Sequence, residues 1–291
     1  MPPWEYLGLA DTSLGRFAKV GVLDVAVCGS EDILVAYNIT VPNVNPDSGV
    51  AIWGTSDFGK TWLRSDAGIP ESRKYSQEYN AVDCLQQAPN NPDHVGAVYG
   101  PAIYRSTDRG KNWTFSGFKG VFVNRDHMRW NPFRSTAVWV FGETSLFAGY
   151  LQRSANSGLS FGRGIDFTSL SFPSDFSVID VAFDVTDERG IFVVTAYGIV
   201  ESSDDGNSWQ VATVIFLGNG YARCMVKDPR SSHTLLIGGG RTIQYLSDGA
   251  GTADIVAQVP HGAIQSLAFD QKTGRLVIGT TEGVFVLPIG A

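Results

Sequence analysis

Cysteine, methionine and histidine are scarce in this 291-residue chain, with 3, 3 and 4 copies. The cysteines, Cys28, Cys84 and Cys224, are odd in number and form no C-x-x-C pair, which argues against a zinc knuckle or a redox dithiol. Each lies in an apolar run that reads as a strand, where a free thiol behaves as a small buried hydrophobe. The four histidines, His94, His127, His233 and His261, are scattered and make no metal set; neither metal nor cofactor is expected. There is no run of about 18 apolar residues, so no transmembrane helix is expected. The start of the chain lacks a charged and then apolar leader. The expected compartment is therefore cytoplasmic, or secreted or periplasmic if a signal peptide has been cleaved. A net charge of −7 argues against nucleic acid or an anionic membrane as partner. No segment sustains a helical period.

What the chain has instead is glycine, 33 copies, and 34 aromatic residues (7 Trp, 10 Tyr and 17 Phe), a composition that suits short strands and tight turns. It also has a repeat. Thr55-Ser56-Asp57-Phe58-Gly59-Lys60-Thr61-Trp62 recurs as Ser106-Thr107-Asp108-Arg109-Gly110-Lys111-Asn112-Trp113. It recurs again as Ser154-Ala155-Asn156-Ser157-Gly158-Leu159-Ser160-Phe161 and as Ser202-Ser203-Asp204-Asp205-Gly206-Asn207-Ser208-Trp209. A worn copy surrounds Leu246-Ser247-Asp248-Gly249. The third position of the pattern steps by 51, 48, 48 and 44 residues, a spacing that means a repeat architecture. The chemistry is that of a turn: a short Asp accepts backbone N–H groups a few residues on, and the glycine supplies a positive φ. The Trp or Phe then opens the next strand.

This stretch resembles the Asp-box, or BNR repeat, of the sialidase and glycoside hydrolase-like β-propellers. The resemblance implies that the boxes are structural turns and that binding or chemistry sits elsewhere. Each unit reads as four β-branched runs bounded by Gly, Pro, Asn and Asp; the second, for instance, gives Ala81–Gln86, Val95–Tyr99, Ala102–Arg105 and Asn112–Ser116. We expect an all-β fold, a single six-bladed β-propeller over residues 1–291 with four-stranded antiparallel blades. The last unit has only three strands. Trp4-Glu5-Tyr6-Leu7-Gly8, before the first unit, is expected to close the ring as its fourth.

Alternation of strands puts the turns after strands one and three on one face, with the Asp-boxes. The loops after strands two and four share the other face. The long segments Asn38–Gly49 and Asp66–Glu78 fall on that second face, where a cleft between the first two blades is the expected site. Aligning the units puts Asp24, Cys84, His127, Asp180, Cys224 and Ser266 at one ring position. Asp24 and Asp180 lie three blades apart and face each other across the axis. They serve either as the acid and base of glycoside hydrolysis, with Asp83 as a substitute, or as hydrogen-bond acceptors for the neighbouring blade. Tyr37, Tyr79, Tyr197 and Tyr221 are candidates to stack on sugar rings. Asn80, His127, Arg129, Arg223 and Arg241 complete the candidate binding residues, arginine being suited to carboxylate capture. The Arg-Ile-Pro signature of sialidases is absent; Ile69-Pro70 follows the first box. The expected partner is a glycan or polysaccharide cleaved by a glycoside hydrolase-like enzyme. The alternative is a glycan or a protein held by a non-catalytic module.

Overall fold

A computed structural model describes residues 4–8, 19–29, 31–40, 51–69, 82–88, 91–99, 102–118, 123–134, 136–144, 149–162, 164–165, 167, 170, 178–184, 187–195, 198–213, 222–228, 234–247, 254–270 and 272–289. Among these residues all regular structure is β-strand, apart from one 3₁₀ position at Leu170.

The strands form six antiparallel sheets. The first blade is β2 (Lys19–Val27), β3 (Ile33–Thr40), β4 (Ala51–Thr55) and β5 (Leu63–Arg64); β1 (Glu5–Gly8) belongs elsewhere. The second is β6 (Val82–Gln87), β7 (Val95–Tyr99), β8 (Ala102–Ser106) and β9 (Thr114–Phe118). The third is β10 (Val123–Trp130), β11 (Val138–Thr144) and β12 (Gly149–Ser154). The fourth is β13 (Val178–Phe183), β14 (Ile191–Thr195), β15 (Gly198–Ser202) and β16 (Gln210–Thr213). The fifth is β17 (Cys224–Lys227), β18 (Thr234–Gly239), β19 (Thr242–Ser247) and β20 (Asp254–Gln258). The sixth is β21 (Ile264–Asp270), β22 (Arg275–Thr280) and β23 (Gly283–Pro288), and β1 adds to β23 as its fourth strand, with Glu5 opposite Val286. The N-terminal segment closes the last blade as expected.

The innermost strands meet in sequence around an axis, and β21 returns to β2, so the six sheets form a closed ring. Six apolar clusters lie between neighbouring blades, including one where Val277, Val284 and Val286 of the sixth meet Val22, Val25 and Val35 of the first. Central strands are covered on both faces, which is why they read as unbroken apolar runs such as Val95–Tyr99. The outermost strands are exposed, as Leu63–Arg64 and Asp254–Gln258 show. The third blade departs from the four-strand expectation. Its outer position is held by an irregular run in which Gly162 and Ile165 donate N–H to Arg153 O and Leu151 O at 2.9 and 2.8 Å. Glycines at 162 and 164 weaken a regular strand there.

The repeated stretches are tight turns with one bonding scheme. Thr55 Oγ1 donates to Asp57 Oδ1 at 2.7 Å and accepts the N–H of Gly59 at 2.8 Å. Asp57 Oδ1 also accepts the N–H of Thr61 at 2.9 Å. The turns at Asp108, Asn156 and Asp204 repeat this pattern. Each turn leans on the preceding blade. A Cβ on Gly110, at φ 82°, would lie 2.5 Å from Leu34, and Trp113 Nε1 donates to Ser65 O at 2.8 Å. The turns share a face with the loops after the first strands, since Phe58, Arg109, Ser157 and Asp205 donate N–H to Glu31, Asp93, Thr136 and Arg189 carbonyls.

Candidate functional site

The site grows from the inner strands. In β2, β6, β10, β13 and β21 the ladder to the second strand slips near its start. The first residue paired after the slip is Asp24, Cys84, His127, Asp180 or Ser266. Cys224 opens β17 opposite Gly238. The six residues form one layer across the axis, as their common alignment predicts.

In this layer the polar groups join the blades. Asp24 Oδ1 accepts the N–H of Val25 at 2.8 Å, and Oδ2 accepts that of Leu85, in the second blade, at 2.8 Å. Asp180 repeats the scheme: Oδ1 takes Val181 N–H at 2.7 Å and Oδ2 takes Met225 N–H, in the fifth blade, at 2.6 Å. Cys84 Sγ accepts Met128 N–H of the third blade at 3.3 Å. In all three cases a ring residue receives the N–H that follows the ring residue of the next blade. This is the geometry of a hydrogen-bonded bracket between neighbouring blades. The carboxylates are 3% and 1% exposed.

Arg129 ties the layer together. Its Nη2 donates to Asp180 Oδ2 at 2.9 Å and its Nη1 to Met128 O at 3.0 Å. The guanidinium also lies 5.9 Å from the Phe141 ring, on which His127 stacks at 5.7 Å. Burial pushes both Asp carboxyls above the ordinary carboxylate range, against the pull of Arg129. Burial likewise raises the Cys84 and Cys224 thiols well above their usual value, so both stay neutral. Burial disfavours the charge on Arg129, but the Asp180 and Asp24 carboxylates more than restore it.

On the turn side of Asp24 and Arg129 the channel holds a cavity of about 210 Å³, lined among others by Gln86, Gln87, Trp130, Phe183, Lys227 and Phe269. The Lys227 ammonium lies 5.2 Å from the Phe192 ring. This cavity is on the other side of the layer from the expected cleft. Of the segments expected to wall that cleft, Asn38–Gly49 and Asp66–Glu78, the stretches 41–49 and 70–78 lie outside the described residues.

On the face opposite the turns, the fifth and sixth blades bring several polar residues together. Arg241, exposed between β18 and β19, donates to Val259 O at 2.9 Å and to Pro260 O. Arg223 donates to Gln265 Oε1 at 3.1 Å. His261 and Glu282 are exposed beside them, in the neighbouring turns of that face. Of the remaining expected residues, Tyr79, Asn80, Tyr197 and Tyr221 lie outside the described residues. Tyr37 and Asp83 are placed only by their backbone, in β3 and β6. Arg129 lies in the buried layer, its side chain 15% exposed, rather than at the surface expected of a substrate-binding group.

No family model and no curated protein matches the sequence. Solved structures do. A gluconolactonase from Xanthomonas campestris shares 14% identity with a TM-score of 0.65, covering 99% of this chain and 89% of that one. YCF48 bound to D1 peptide shares 12% identity with a TM-score of 0.58, covering 100% and 96%. An ancestral GH74 enzyme shares 13% identity with a TM-score of 0.59; 92% of this chain is covered, but it spans only 36% of the enzyme. At such identities the likeness is one of fold: the chain is a six-bladed β-propeller with neighbours of diverse activity.

Proposed function

We propose that the protein is a non-catalytic Asp-box propeller that docks a polypeptide segment on the face opposite its repeated turns. The observation that carries this reading is the engagement of Asp24 and Asp180. Hydrolysis asks for two carboxyls facing a substrate, roughly 5 to 9.5 Å apart, one of them free to give a proton. Here each of the four oxygens accepts a backbone N–H, and the groups are buried in the layer that joins the blades. A carboxylate withdrawn from that scheme would strand two buried N–H donors, at about 1 to 3 kcal/mol each.

One structural neighbour supports the choice of a polypeptide partner. YCF48, solved with a peptide, is matched nearly end to end in both directions. The GH74 enzyme is matched over about a third of its length, so glycan cleavage has the weaker support. Exposed Arg241, with Arg223, His261 and Gln265 close by on the opposite face, offers donors suited to backbone carbonyls and side-chain carboxylates of an extended segment.

Parallel arrays of extended peptides and of glycans test the proposal. The expected result is retention of peptides, lost in a folded Arg241→Glu variant, with no reducing sugar released from a polysaccharide panel. Binding confined to glycans, or polysaccharide turnover abolished by Asp24→Asn, would overturn it.

A further inference from the structure

We propose that Asp24, Cys84 and His127 form a zinc site in the axial layer, a feature separate from the docking face. One carboxylate oxygen, the thiol sulfur and one imidazole nitrogen lie within 4.8 Å of one another. Ligands of a tetrahedral Zn²⁺ stand about 3.3 to 3.8 Å apart at the usual 2.0 to 2.3 Å bond lengths. The three groups therefore need to close by about an ångström or a little more. Carboxylate, thiolate and imidazole together are a borderline-soft set that suits Zn²⁺ over Mg²⁺ or Ca²⁺. Three protein ligands leave a fourth position for water or another donor.

The supports around the three groups are already in place. They sit at the same register on three successive inner strands, β2, β6 and β10. Each Asp24 oxygen accepts one N–H, which fixes the carboxylate's direction, and the Cys84 side chain is hydrogen-bonded to the same carboxylate, a contact that a shared metal ion would replace. Met128 N–H points at Cys84 Sγ at 3.3 Å and orients it. Phe141 fixes the plane of the His127 ring.

Charge points the same way. Arg129 makes its ion pair with Asp180, and Asp24 has no ion pair among the described residues. A buried carboxylate without an ion pair of its own is costly away from water. A divalent cation that displaces the Cys84 proton to solvent leaves the layer neutral, with thiolate, two carboxylates, guanidinium and metal in balance. Arg129 Nη1 donates to the same sulfur at 3.9 Å, a contact that suits a negatively charged ligand atom.

Cobalt(II) is the direct probe, because a thiolate ligand gives it an intense near-ultraviolet charge-transfer band. The full chain, stripped with a chelator and confirmed folded by circular dichroism, is titrated with CoCl₂. The band is expected to saturate at one equivalent and to bleach on adding one equivalent of ZnCl₂. Cys84→Ser should abolish it, and His127→Ala should weaken binding more than about ten-fold. Cys224→Ser, on the far side of the ring, should leave it intact. A folded wild-type protein without the band, a band that survives Cys84→Ser, or affinity unchanged by His127→Ala would overturn the site.

Discussion

A single glycine shows how closely the blades are fitted. Gly206 holds φ at 83°, and a Cβ there would lie 2.6 Å from the Trp139 ring of the preceding blade. Gly206→Ala is expected to cost about 1 to 3 kcal/mol, from backbone strain and the clash together; urea denaturation checks it. The aspartates of these turns carry a pH signature. Hydrogen bonds from Thr61 and Ser208 hold the Asp57 and Asp204 carboxyls down at about 2, against an ordinary 3.8. A depressed carboxyl contributes stability that is present above the unfolded value and lost as pH falls through the folded one. The loss therefore falls between about pH 4 and pH 2. Asn156 fills the same role in the third turn, its Oδ1 accepting Ser160 N–H at 2.9 Å. The Asp57→Asn, Asp204→Asn double variant should keep the fold at neutral pH and show a shallower fall in Tm below pH 4. An unchanged acid slope would contradict the assignment. The Asp, or Asn in the third turn, and the Gly of each turn were legible in the repeat. The residue between them, at φ 54° to 62° in Phe58, Arg109, Ser157 and Asp205, was not, because none of these is glycine or asparagine.

Among the elements, β1 has the largest effect for its length. Four residues close the ring; Leu7 is buried against the first and sixth blades, and its carbonyl accepts Trp62 Nε1–H at 2.9 Å. Removal of residues 1–8 leaves β23 an open edge and empties the Leu7 site, a loss of at least about 2 to 5 kcal/mol by analogy with Leu→Ala changes. For a chain of this size that is a fall in Tm of several degrees at least, and differential scanning calorimetry on the truncated protein reads it. A Tm equal to that of the whole chain would rule out this role for β1. The strand was legible because the last unit ran out of chain one strand short while Trp4 to Gly8 offered the missing pattern. The irregular edge of the third blade was hidden because the repeat there ends in Phe161 and runs into Gly162 and Gly164, with no alternation of apolar and polar residues to mark a strand.

For the whole molecule, the sequence disclosed more of the architecture than of the site. Aligning the units brought Asp24, Cys84, His127 and Asp180 to one ring position, since the repeat fixes their register. It left open whether the carboxylates face a substrate or the next blade, because depth along the channel decides that and no periodicity encodes depth. The alignment also put His127 level with Asp24 and Cys84, but how near their ligand atoms come, within 4.8 Å, depends on side-chain direction, which no repeat encodes. Raised channel carboxyls act in the opposite sense to the turns. Their contribution is complete below the ordinary carboxylate value and is lost as pH rises through the raised one.

The claim on which the functional reading rests is that Asp180 and Asp24 join blades. Its most direct measurement is the unfolding free energy of Asp180→Ala. Removing that carboxylate strands the Met225 and Val181 N–H groups and leaves Arg129 a buried cation without its partner. We predict a loss of about 3 to 5 kcal/mol, as for breaking a buried ion pair. An Asp180→Ala protein as stable as the wild type would contradict the account.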